Sequence, residues 1–238
     1  MSPKEIRYTP RNLKDMLIEM KDTSELMVDL AYSAMIYDNE DIAEEVVRLE
    51  DKMDTLYYHM KITAMLSTRR VEEAEEMAGV LQVAQASEGI ADAAGDIAKI
   101  VLMEMGIPME LKLALREAAE TIVRATVSPE SKVAGHTLGD IELDTETGMW
   151  VIAIRRQNDW IYNPNHETRV RADDVLFARG HDEGVLLFAE LVTNEKYIPK
   201  EVKHEKMLQD LEKAVDIIVD MKEDRKSTRL NSSHVALS

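Results

Sequence analysis

The sequence predicts an all-helical part followed by an α+β part: an antiparallel N-terminal bundle, a small α+β domain and a C-terminal helix. Three observations carry this. Up to about residue 105, apolar residues recur in alternating steps of three and four, the period of a helix seam. Beyond residue 126, apolar spacing shortens toward two and β-branched runs bounded by turn residues appear. Composition changes at the same place. Residues 1–126 carry 14 basic against 25 acidic side chains (net −11), 12 of the 15 Met and no Trp. Residues 127–238 carry 15 against 21 (net −6), both Trp and five of the nine Gly. Met suits an adaptable helix core, whereas Gly and Trp amid β-branched residues suit turns and sheet. The expected boundaries are 1–120 for the bundle, 121–198 for the α+β domain, 199–225 for the C-terminal helix and 226–238 for a tail.

The first helix follows Leu13, Leu17, Met20, Ser24, Met27, Ala31 and Ala34. The second follows Ile42, Val46, Leu49, Met53, Leu56, Met60 and Thr63, and the third Met77, Leu81, Ala84, Glu88, Ala91, Gly95, Ala98 and Leu102. Asp38-Asn39-Glu40, Ser67-Thr68 and Gly106-Ile107-Pro108 supply the breaks, and a shorter helix is expected over Met109–Glu120. Stripes of this kind pack as an antiparallel bundle at shallow crossing angles. In the second half Thr121–Val127, Trp150–Arg156 and Asp173–Arg179 read as strands, the second expected to be buried on both faces. Gln157-Asn158-Asp159 turns into Trp160-Ile161-Tyr162, which Asn163-Pro164-Asn165 closes. His136–Gly139 suits one helical turn, and Asp182–Thr193 a helix. Helix periodicity returns over Glu201–Asp224, where Asp216, Asp220, Met221, Lys222 and Glu223 echo Asp15, Glu19, Met20, Lys21 and Asp22 at an offset of 201. Either two acidic helices are alike by chance or a second copy of the bundle begins there. Lys226–Ser238 reads as vector-derived and is left out of the fold.

A net charge of −17 argues against nucleic acid and against an anionic membrane surface, both of which need a basic footprint. The absence of Cys excludes a disulfide framework, a thiolate metal site and a Cys nucleophile. Apolar runs stay far below the roughly 18 residues of a membrane span, and no signal peptide opens the chain. A soluble cytoplasmic protein without direct membrane insertion is expected. No G-x-G-x-x-G, G-x-S-x-G or H-E-x-x-H occurs, and Gly135–Gly139 lacks the ending of a phosphate loop. Histidines 59, 136, 166, 181, 204 and 234 are scattered and read as surface or turn residues. The expectation is a protein that is not an enzyme.

Carboxylates in the helical half are the most informative polar feature. Glu25/Asp29, Glu50/Asp54 and Glu88/Asp92 share the form E-x-x-x-D, which puts both acids on one helix face. Glu88 stands at a seam position among small residues, and Asp92 and Asp96 extend its face. A buried ionised carboxylate is costly unless paired or metal-bound. Glu50, Asp54, Glu88, Asp92 and Asp96 are therefore candidate ligands of a hard cation: Mg, Ca, Mn or iron. A salt bridge to Arg69, Arg70 or Lys99 and a solvated acidic face are the alternatives.

Four segments in order resemble a TrkA-C domain: Ser131-Lys132-Val133-Ala134-Gly135-His136-Thr137-Leu138-Gly139-Asp140-Ile141; Val151-Ile152-Ala153-Ile154-Arg155-Arg156; Asn163-Pro164; and Ala172-Asp173-Asp174-Val175-Leu176 with Arg179-Gly180. Ala172-Asp173-Asp174 stands where the family carries G-D. Residues 13–105 are similar to PhoU-like domains, through Ser87-Glu88-Gly89-Ile90-Ala91-Asp92-Ala93-Ala94-Gly95-Asp96-Ile97-Ala98 and through Asp41–Val46 with Glu50 and Asp54. The combination resembles PhoU–TrkA-C proteins, which implies a cytosolic, homodimeric regulatory partner of a membrane potassium or other cation transporter. The TrkA-C resemblance implies a small-ligand pocket at the two-fold of a dimer, used for cyclic di-AMP in some members, around Leu143, Asp144, Met149, Trp150 and Pro164. Arg155 and Arg156 are the available phosphate contacts. Asp144 stands where cyclic di-AMP-binding members carry Arg, and Trp150 where they carry a small polar residue, which argues against cyclic di-AMP. The PhoU resemblance implies metal at Glu88 and Asp92, with Gly89 and Ala91 departing from the usual Arg and Gly. Three functions compete: a ligand-sensing transport regulator, a metal-binding signalling adaptor with TrkA-C as its oligomerisation module, and a scaffold with neither ligand.

Overall fold

The structure is a computed structural model and describes residues 8–118 and 120–195. The helix expected at 199–225, its echo of the first helix and the tail 226–238 lie outside the described residues. Helices α1 (Leu13–Tyr37), α2 (Glu40–Ser67) and α3 (Val71–Leu102) run where the three seams place them. Asn12 caps α1 by accepting from the Lys14 amide at 2.8 Å, and Asn39 caps α2 by accepting from the Ile42 amide at 3.2 Å. Asp38 takes the left-handed conformation that closes α1. These tight connections make sequential helices antiparallel neighbours. Fully buried Met16, Met20, Met27, Met53 and Met60 fill the space between them.

The third seam differs from expectation at two places. The buried row of α3 is Ala84, Ser87, Ala91, Ala94, Gly95, Ala98 and Val101, so Ser87 and Val101 lie inside where Glu88 and Leu102 were expected. The steps Ala84, Ser87, Ala91, Ala94, Ala98, Val101 are 3, 4, 3, 4 and 3, so the seven-residue repeat holds and the expected seam takes its alternation of three and four in the opposite phase. Glu88 therefore sits on the flank, half-buried.

After α4 (Met109–Ala118) come β1 (Thr121–Thr126), α5 (Leu138–Ile141), α6 (Leu143–Thr147), β2 (Met149–Arg156), β3 (Asp159–Tyr162), β4 (Val175–Gly180) and α7 (Asp182–Thr193). The short α5 starts two residues later than expected because Thr137 and Asp140 form a capping box. Helix α6 was not expected, being too short to show a period. The strands form one antiparallel sheet in the order β1-β4-β2-β3.

The sheet is covered on both faces. Ile122, Ala153, Val175 and Phe177 join the core of the bundle, with Ile152, Trp160 and Tyr162 packed against it. Val123, Ala125, Val151, Ile154, Leu176 and Ala178 face the other way, toward Leu143 of α6 and Phe188 and Val192 of α7. A β-bulge between Val151 and Ala153 makes this division possible. Without the extra residue, strict alternation would put Ala153 on the face of Val151 and invert the rest of the strand. Burial on both faces holds for the middle of β2 but not for Trp150, which is 54% exposed. On the far side, α7 approaches closely: a Cβ on Gly184 would lie 2.1 Å from the Thr147 carbonyl oxygen.

Candidate functional site

Strand β3 pairs only with Ala153–Arg156, so the outer edge of β2 is uncovered from Met149 to Val151. A cavity of about 220 Å3 opens there, lined by Leu138, Leu143, Asp144, Met149, Trp150, Val151, Pro164, Asn165 and His166. Its floor is apolar and buried: Leu143, Met149, Val151 and Pro164. Local hydrogen bonds fix these residues. Thr147 donates its hydroxyl to the Leu143 carbonyl at 2.5 Å and accepts from the Met149 amide at 3.1 Å, tying α6 to the start of β2. The 164–168 loop is held against α5 by the Gly139 amide on the His166 carbonyl and the Leu138 amide on the Thr168 carbonyl, both 2.9 Å. At the rim the Trp150 indole meets the His166 imidazole edge-on, with centroids 6.5 Å apart.

The expected residues Leu143, Asp144, Met149, Trp150 and Pro164 thus converge. Arg155 and Arg156 do not line the cavity and are corrected as ligand contacts. An extended strand rises about 3.3 Å per residue, which puts Arg155 some 16 Å from Trp150. Arg155 donates from Nη2 to Glu45 Oε1 at 2.8 Å, and Arg156 holds Asp174 by two bonds of 2.8 and 2.7 Å. The bond to Asp174 raises the pKa of Arg156.

Glu45 is the hub of the junction between bundle and sheet. Its side chain is 0% exposed, and Oε1 also accepts from Arg48 at 3.1 Å and Arg124 at 3.2 Å. Glu45 Oε2 and Arg155 Nε are buried without a partner among the described residues. Beside this hub, the Tyr162 hydroxyl bonds Thr23 at 2.8 Å and accepts from Lys52 at 3.1 Å. Burial pushes the Tyr162 phenol up, against the lowering effect of Lys52. Burial also pushes Glu19 up, but Lys52 and Arg11 outweigh it and hold the carboxyl below its usual range.

Of the five candidate metal ligands, Asp54, Glu88 and Asp92 come together, with ligand oxygens all within 4.8 Å of one another. Glu50 and Asp96 turn instead to Lys99, at 3.2 and 3.1 Å. Glu50 fits because Gly95 presents no Cβ, which would lie 2.7 Å from the carboxylate. In the triad, burial and then repulsion from Asp92 push the carboxyls of both Asp54 and Glu88 upward, with Lys61 opposing weakly. Three acids with this little compensation can take a hard cation or share protons. The expected Glu25/Asp29 pair divides between two cations: Glu25 accepts from Lys21 at 2.6 Å and Asp29 lies 3.5 Å from Arg179. Burial raises the pKa of Asp29.

A PhoU domain model matches residues 17–101, and a TrkA-C domain model matches residues 122–193. The chain carries a PhoU domain followed by a TrkA-C domain. No curated protein matches it significantly. Solved structures similar to it include the RCK C domain of the potassium transport protein KtrA in complex with cyclic diadenosine monophosphate, at 28% identity over 34% of this chain and 89% of that one, with a TM-score of 0.29. The GsuK RCK domain is similar at 19% identity, over 51% of this chain and 26% of that one, TM-score 0.30. S. agalactiae BusR in complex with its busA-promoter DNA follows at 18% identity, over 59% and 80%, TM-score 0.29. The cavity lies within the TrkA-C domain and the carboxylate triad within the PhoU domain.

Sequence reasoning missed four participants. His166 was read as a turn residue and lines the cavity. His59 was read as a surface or turn residue and is buried between Tyr8 and Tyr58. Glu45 carried a usable signal, since it falls on the stripe of Ile42, Val46 and Leu49, where a carboxylate must find partners. Asp174 lies in the Ala172–Leu176 segment of the TrkA-C resemblance, but nothing local pointed to its bond with Arg156. Among the described residues no helix is long and apolar enough to cross a membrane.

Proposed function

We propose that this protein is a non-catalytic regulatory subunit of potassium or other cation transport. In this reading the TrkA-C cavity binds a small ligand, and the PhoU bundle passes its occupancy to a membrane transporter. One observation carries the reading. Strand β2 borders the cavity with Met149–Val151 and, at its other end, is bonded through Arg155 to Glu45 of the bundle. A ligand that favours one arrangement of β2 shifts the population of bundle arrangements by its difference in affinity between them. The protein would act in the cytoplasm as a homodimer joined through the TrkA-C domain. A nucleotide ligand rests on family resemblance alone. The test is a thermal-shift panel of nucleotides, amines and divalent ions on the full chain, with sedimentation velocity for the dimer. A ligand whose stabilisation disappears in Trp150→Ala supports the reading, since a ligand at its dissociation constant or above must stabilise the fold. No stabilisation by any member of the panel contradicts it.

The convergence of Asp54, Glu88 and Asp92 favours a second reading, a metal-binding signalling adaptor in which TrkA-C only oligomerises the chain. Elemental analysis separates the two. Stoichiometric iron, manganese or zinc that is lost in Glu88→Ala supports the adaptor; metal-free protein with a ligand-responsive Trp150 supports the regulator.

A further inference from the structure

We propose that the TrkA-C cavity selects a small organic cation: an amidinium, guanidinium or ammonium group on a compact apolar body. This rests on the reading of the cavity as a ligand site and names the class of its ligand. None of the residues lining the cavity is Lys or Arg, and Asp144 is the one charged group on its wall. The Asp144 carboxylate has no side-chain partner among the described residues, so a ligand need not displace one. From Val133 to Ile154 the sequence contains no Lys or Arg, while Asp140, Glu142, Asp144 and Glu146 make the stretch that supplies α5 and α6 acidic. The neighbouring Arg169 is committed to the Gly135 carbonyl. A phosphate entering here would meet the like charge of Asp144; a cation would meet that carboxylate and a net charge of −17 behind it.

The apolar part of the wall decides what kind of cation. A hydrated inorganic ion gains nothing from Leu143 and Met149, whereas an organic cation buries its body against them. Trp150 presents the ring that attracts cations best, and it lines the same cavity as Asp144. The volume of about 220 Å3 falls below the roughly 300–1,000 Å3 of drug-sized sites, which suits a ligand of one ring or its equivalent.

Three near-isosteric probes isolate the charge: benzamidine (cation), benzamide (neutral) and benzoate (anion). The full chain is used with Trp160→Phe, which leaves Trp150 as the sole indole; thermal shift of the unaltered chain is the second readout. Benzamidine is expected to change Trp150 emission with a half-saturation about tenfold below that of benzamide, as a charge-assisted pair to Asp144 requires. Benzoate is expected to bind weakest, and Asp144→Asn to erase the preference. Benzoate or benzamide binding as tightly as benzamidine overturns the proposal. Cyclic di-AMP saturating the site where benzamidine does not also overturns it, while leaving the ligand-sensing reading intact. If no probe moves either Trp150 emission or the melting temperature, both fall together.

Discussion

Replacing Glu45 by Ala tests whether the PhoU bundle and the TrkA-C sheet share one core. Glu45 is fully buried and accepts from Arg48, Arg124 and Arg155. Its removal leaves Arg155, 18% exposed, and Arg124, 24% exposed, beside an apolar wall without their counter-charge. Breaking a buried pair from one side costs about 3–5 kcal/mol. Both arginines retain some solvent, so the expected cost lies near the lower end, about 3 kcal/mol. At about 2–4 °C per kcal/mol for a domain of this size, Tm should fall by about 6–12 °C. Urea unfolding of the wild type, Glu45→Ala, Arg155→Ala and the double variant measures this directly. The cycle should return a coupling above about 1 kcal/mol, because the two groups touch. A cost for Glu45→Ala below about 1 kcal/mol, or additive single effects, would refute the reasoning and leave the two domains merely adjacent.

Three further outcomes are expected. In EDTA, Glu88→Gln should be more stable than the wild type at pH 7 by about 0.2–0.5 kcal/mol for each repulsive pair relieved. The carboxyls of Asp54 and Glu88 titrate above their unfolded values. Their contribution to stability is therefore full below the unfolded carboxylate pKa of about 4 and is lost as pH rises through the folded values. The advantage of Glu88→Gln should accordingly vanish in acid, and melting curves across pH check this; a variant less stable at pH 7 contradicts it. Gly184→Ala should cost about 1–3 kcal/mol, since the added carbon meets the Thr147 carbonyl and must push α7 off α6; an unchanged melting temperature would contradict that contact. Trp150→Ala should leave the unfolding free energy within about 0.5 kcal/mol of wild type while abolishing ligand stabilisation, because the indole is 54% exposed; a strongly destabilised variant would make Trp150 a structural residue.

What could be read in the chain follows from how local each signal is. Long amphipathic helices write their period over many residues, so α1, α2 and α3 were legible almost to their ends. The one-residue shift at Ser87 and Val101 is a matter of phase: Ala84, Ala91 and Ala98 fit either order of the three-and-four alternation, and small residues on both flanks leave the choice open in the sequence. Helix α6 is five residues long and shows no period, so the turn that places Leu143 and Asp144 was hidden. The cavity was foreseen through resemblance rather than spacing, because its wall combines α5, α6, the edge of β2 and the 164–168 loop. Arg155 and Arg156 were misplaced for a geometric reason: neighbours of the cavity in sequence are not neighbours along an extended strand. The fate of Glu50 depended on Gly95, a contact across helices that no single stripe reveals.

The proposed regulator acts through occupancy of its TrkA-C cavity, which would control cation movement through a membrane partner. Potassium uptake in cells carrying the cognate transporter tests it most directly, with the chain present, deleted, or bearing Trp150→Ala. The account predicts that deletion alters uptake and that Trp150→Ala, although folded, fixes uptake at one level whatever the ligand supply. Identical uptake in all three strains would contradict it.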